Sequence, residues 1–81
     1  MDTLYERPEV RQELRAFDAE TLEAFASVLS PREAVVLHTR IVGVPPRRWE
    51  SLARTLGISR DMVRQIEATV IAKFDTWKQT R

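Results

Sequence analysis

The chain has no cysteine, and that absence removes disulfides, thiolate chemistry and zinc-finger ligands together. It has a single histidine, His38, which alone builds neither a metal site nor a catalytic triad and is expected on a helix surface. With two glycines there is no glycine-rich phosphate loop, and no pair of carboxylates converges at a recognisable spacing. An enzyme is therefore not expected, and neither is a cofactor or a metal. No run is long and apolar enough to span a membrane, and no signal peptide precedes the first predicted helix, so the expectation is a cytoplasmic protein.

What is present fits one small domain with a thin core: 81 residues, 43% of them hydrophobic. The formal net charge is only +1, but it is unevenly spread. Residues 1–29 hold seven acidic and three basic side chains, a balance of −4. Residues 30–81 hold ten basic and five acidic ones, a balance of +5. The basic part is the one suited to an anionic partner.

The periodicity predicts an all-α fold, a small domain of four to five helices. Val10, Leu14 and Phe17 recur at helical spacing, and Pro8 is tolerated only in that helix's first turn. Residues 1–17 read as an N-terminal helical extension and 18–81 as the main domain. Asp18 can cap a second helix with Leu22, Phe25, Ala26 and Leu29 inward. Ser30-Pro31-Arg32-Glu33 is a start signal: serine as cap, proline at the first helical position, glutamate reaching back. That helix runs through Ala34, Leu37 and Ile41 and stops near Gly43. Two prolines then make Val44 to Arg48 a stiff, extended connector. The last helix carries Val70, Ile71, Phe74 and Trp77 on one stripe, and the tail from Lys78 to Arg81 is expected to fray.

The most informative stretch is Trp49 to Glu67, WESLARTLGISRDMVRQIE. A short helix, a glycine and a second helix opening on Ser59-Arg60-Asp61 read as a helix-turn-helix. Leu52, Leu56, Ile58, Val63 and Ile66 are the positions two steeply crossing helices would bury, and Ala53 lies where they approach closely. Gly57 closes the first helix where a positive φ is cheapest as glycine. Ser59 caps the second, and Asp61 favours its dipole. Arg60, Asp61, Arg64 and Gln65 are left pointing outward. Arginine and glutamine are the side chains that make paired hydrogen bonds to guanine and adenine edges. Arg47, Arg48 and the start of the next helix stand near enough to reach a phosphate backbone, or form a solvated loop, and Trp49 is expected to pack at the base of the first of the two helices. The same spacing also fits an ordinary helical hairpin with a solvated charged face.

Leu29 to Leu37, LSPREAVVL, and Ser51 to Phe74, SLARTLGISRDMVRQIEATVIAKF, together resemble region 4 of bacterial sigma-70 family factors, most specifically in Val63-Arg64-Gln65-Ile66-Glu67. LuxR-type response-regulator domains are a second likeness, with a different recognition-helix sequence. The region 4 resemblance covers about residues 22–74. It implies a helix-turn-helix that reads a promoter −35 element in double-stranded DNA and grips the β flap of RNA polymerase core. By position, it implies Arg60, Asp61, Arg64 and Gln65 as base and backbone contacts, with Arg48 and Trp49 where family members touch phosphate. Polymerase would meet the helix from Ser30 to Ile41. The expected setting is nucleoid-associated.

The departures are equally specific. Met62, Thr69 and Asp75 stand where the family tends to be basic, Arg48 replaces a threonine and Trp49 a leucine. Each lost cation removes a phosphate contact and flattens salt dependence, so weak affinity for DNA is expected when the protein acts alone. The 81 residues hold no counterpart of region 2, which melts the −10 element, so a separate region 2 protein is an expected partner. Two functions from different classes follow. One is a stand-alone −35-type DNA reader, as half of a split sigma factor or as a phage or plasmid regulator. The other is a protein mimic that docks on polymerase or sigma with little DNA contact. Monomer and homodimer both stay open.

Overall fold

The structure, a computed structural model, describes residues 8–80. It is all-α, with five α-helices and no strand among the described residues: α1 (Pro8–Arg15), α2 (Ala19–Ala26), α3 (Pro31–Val36), α4 (Trp49–Leu56) and α5 (Arg60–Gln79). Residues 1–7 of the expected extension and Arg81 of the expected tail lie outside the described residues.

The predicted start signals act through their side chains. Asp18 accepts from the Thr21 amide at 2.8 Å. Ser30 accepts from the Glu33 amide at 3.2 Å while Glu33 accepts from the Ser30 amide at 2.9 Å, completing a reciprocal cap with Pro31 at the first helical position. Ser59 accepts from the Met62 amide at 3.1 Å. Such caps each contribute about 1 kcal/mol.

α3 does not end where its α-helical bonding ends. Leu37–Ile41 continues it as one wide π turn, in which the Val42 amide donates to the Leu37 carbonyl at 2.9 Å. The connector is not extended as expected but bends back: the Arg47 amide donates to the Thr39 carbonyl at 3.0 Å, and Arg40 Nη1 donates to the Arg47 carbonyl at 3.0 Å. Gly43 makes this return possible. A Cβ there would lie 2.5 Å from the Thr39 carbonyl oxygen, closer than real atoms approach.

One core joins all parts. Val10 and Leu14 of α1 pack with Phe25, Leu37, Ile41, Val70, Ile71 and Phe74, all essentially buried. The described part of the 1–17 segment thus belongs to the same core as the main domain. Phe17, Phe25, Phe74 and Trp77 form an aromatic cluster, with Phe25 edge-on to Phe74 at 5.3 Å between centroids. Full burial of a ring such as Phe25 or Phe74 contributes about 1.5–3 kcal/mol, and less for the half-buried Phe17 and Trp77. α5 extends to Gln79, past the expected fraying point, because Lys78 Nζ reaches Glu13 at 3.0 Å and lies 5.0 Å from the Phe74 ring.

Candidate nucleic-acid interface

α4, the Gly57 turn and α5 form the helix-turn-helix. Gly57 has φ +70° and ψ +35°, and its amide donates to the Ala53 carbonyl, which closes α4. Leu52 and Val63 are fully buried between the two helices, with Ala53, Leu56, Ile58 and Ile66 half-buried around them. This packing fixes the face that α5 turns outward. On it Arg60, Asp61, Met62, Gln65 and Thr69 are exposed.

The expected contact residues fall into three groups. Arg48 and Gln65 are exposed side chains at the start of α4 and on the second turn of α5. Arg60 and Asp61 are exposed but engaged: Arg60 Nη1 lies 3.0 Å from Glu50 Oε2, and Asp61 lies 3.9 Å from Arg64 Nη1. The Glu50 carboxyl is held below its ordinary value by its own backbone N–H and then by the Arg60 guanidinium. Both members of that pair are more than half exposed, so its contribution to stability is small.

Trp49 and Arg64 form the third group, and they face a feature the sequence reading missed. Glu67, on the second turn past Arg60, has no solvent exposure at all. Its Oε2 accepts from Arg11 Nη2 of α1 at 3.0 Å. Its Oε1 accepts from Arg40 Nε at 3.0 Å and from the Trp49 indole N–H at 2.8 Å. Trp49, which the resemblance set beside phosphate, instead packs inward as its own position suggests, with its indole N–H directed at a carboxylate. The Cζ atoms of Arg40 and Arg64 stand over the Trp49 ring at 4.6 and 4.7 Å from its centroid, within cation–π range.

A buried carboxylate is tolerated because two guanidiniums and an indole N–H replace water around it. It ties four separate pieces of chain together: α1, the π turn, α4 and α5. The signal was present in the sequence. Glu67 is a charge on the inward stripe that Val63, Val70, Ile71 and Phe74 define, four residues after Val63. Its partners are too distant along the chain for a local pattern to find.

Two further features border this site. Arg47 Nε donates to Ser51 Oγ at 2.9 Å and Arg47 Nη2 to Thr55 Oγ1 at 2.5 Å, which fastens the connector along α4. Farther along α5, Val28, Thr69, Ala72, Lys73, Thr76, Trp77 and Thr80 line an open, mostly apolar groove of about 500 Å³. At one edge Lys73 Nζ pairs with Glu33 at 2.8 Å. Burial pushes the Glu33 carboxyl up, but Lys73 and the Ser30 cap outweigh it and hold it below its ordinary value. His38 is exposed. Among the described residues, no three metal-ligating side chains gather and no helix is long and apolar enough to cross a membrane.

No known protein family model matches the chain, and no curated protein or solved structure matches it either.

Proposed function

We propose that this chain is a sigma region 4-like transcription regulator that reads double-stranded DNA through α4 and α5. One observation carries the reading. The α4–Gly57–α5 unit leaves one face of the first two turns of α5 outward, with Arg60, Asp61 and Gln65 exposed and Arg64 at their edge. In this reading α5 enters the major groove. Gln65 and Arg64 address base edges, Arg60 a base or phosphate, Asp61 orients, and Arg48 meets the backbone beside α4. RNA polymerase core, through its β flap, is the expected protein partner.

The charge arrangement bears on affinity. Arg60 and Arg64 each have a carboxylate close by, and Met62 and Thr69 bring no cation to the outward face. Binding would therefore be weak alone and strengthened by a second contact on polymerase.

The test is selection of bound sites from a random duplex library with the purified protein, at low and moderate salt. Enrichment of a −35-like motif is the expected result. A folded protein that enriches nothing would overturn the DNA reading.

A second reading, a polymerase-docking protein with little DNA contact, is favoured by the apolar groove beside Trp77. It predicts that polymerase core is retained by a variant with Arg60, Arg64 and Gln65 all changed to alanine. Loss of the complex in that variant would count against it.

A further inference from the structure

Arg64 is not an ordinary surface arginine. Its side chain is 30% exposed, and its guanidinium stands over the Trp49 ring at 4.7 Å. A long side chain in solvent samples many rotamers, whereas one laid on an aromatic face is confined to few. That face is itself fixed. The indole N–H bonds to Glu67 at 2.8 Å, and Glu67 is immobilised by Arg11 and Arg40. Arg40 is held a second time by the Arg47 carbonyl and also stands over the Trp49 ring. Arg64 and Glu67 are three residues apart on α5, so they lie on neighbouring positions of the same helix surface. The chain of contacts runs from a buried carboxylate to an indole to a guanidinium at the margin of the outward face.

We propose that Trp49 and Glu67 are positioning residues for Arg64: they set where its guanidinium stands, so base preference opposite Arg64 depends on two side chains that do not themselves read DNA. This inference rests on the DNA-reading proposal. Paired hydrogen bonds to a guanine edge need the guanidinium plane aligned with the base. A guanidinium held before encounter loses less freedom on binding than one that must be ordered by it. An aliphatic side chain in place of Trp49 offers neither the face nor the N–H.

The experiment compares the wild-type chain with R64A, W49L and W49F in duplex-library selection. Competition binding then follows at the base pair where R64A relaxes the preference. W49L is expected to lower discrimination at that pair by about tenfold while leaving other positions and non-specific affinity near wild type. W49F keeps a ring but loses the N–H, and is expected to retain more discrimination than W49L. In the unbound protein, the upfield ring-current shift of the Arg64 side-chain protons is expected to vanish in W49L and to diminish in E67Q. Wild-type discrimination in both tryptophan variants would overturn the inference, as would sharper discrimination in W49L. If W49L does not fold, W49F decides: unchanged discrimination there overturns it. A wild-type protein that selects no motif removes base reading itself, and this inference with it. A motif that R64A relaxes and the tryptophan variants do not would leave DNA reading standing and remove only the positioning role. A motif that R64A leaves untouched also overturns it.

Discussion

The Trp49 indole N–H donates to Glu67 Oε1 at 2.8 Å, so the first residue of α4 is bonded to a carboxylate two turns into α5. This bond joins α4 to α5 across a gap of 18 residues. Glu67→Ala leaves two guanidiniums and an indole N–H without their acceptor. The expected loss is about 3–5 kcal/mol, read as a lower denaturant midpoint. Glu67→Gln retains an acceptor for Trp49 and is expected to lose less. Equal midpoints for E67A and wild type would contradict the role assigned to Glu67.

The two glycines are expected to fail for different reasons. Gly57 has a positive φ but open space where a Cβ would go, so Gly57→Ala is expected to lose about 1–2 kcal/mol from backbone strain alone. Gly57→Asn should recover part of that, because asparagine visits this region more readily. At Gly43 a Cβ would meet the Thr39 carbonyl oxygen at 2.5 Å, and Gly43→Ala must displace backbone. A loss of about 3 kcal/mol is expected, larger than for Gly57→Ala and with no rescue by asparagine. Thermal unfolding of the four proteins orders them.

Glu50 holds Arg60 at 3.0 Å on the outward face. Glu50→Gln is expected to raise non-specific duplex affinity by about threefold at low salt, with the gain fading as salt rises. Fluorescence anisotropy with a labelled random duplex measures it. An affinity that stays the same at every salt concentration would mean that Arg60 meets no phosphate.

Acid stability has a definite sign. Glu33 and Glu50 both titrate below their ordinary value of 4.5 in the folded protein. The stability they contribute is complete above 4.5 and is lost as pH falls through their lowered folded values. Glu33→Gln is expected to flatten that acid limb while changing stability at pH 7 by under about 1 kcal/mol, since Lys73 is 42% exposed. Urea midpoints between pH 3 and pH 7 test both statements.

The helix starts were legible because each is written within one turn. Asp18, Ser30 with Glu33, and Ser59 all make the bonds their spacing predicts. Gly57 was legible for the same reason. The inward stripe of α5 is legible through Val70, Ile71 and Phe74, which are all buried, but the role of Glu67 on that stripe is not. Its partners lie 56, 27 and 18 residues away, and no local rule pairs them. Trp49 was ambiguous because the first residue of a helix can turn its side chain either way. The connector's return depends on the Thr39 carbonyl meeting the Arg47 amide, a tertiary choice that two prolines do not dictate.

The π turn at Leu37–Ile41 gives this part of the chain a tolerance to the loss of one residue. It is in effect an α-helix with one residue to spare. Deleting an exposed residue within it, such as His38, would tighten the wide turn into an ordinary α turn, and the residues after it would keep nearly the same angular position around the helix axis. A residue added to the preceding α3 has no such slack to draw on. It would turn every later residue by about 100° around the axis, carrying Arg40 away from Glu67 and the Thr39 carbonyl away from Arg47.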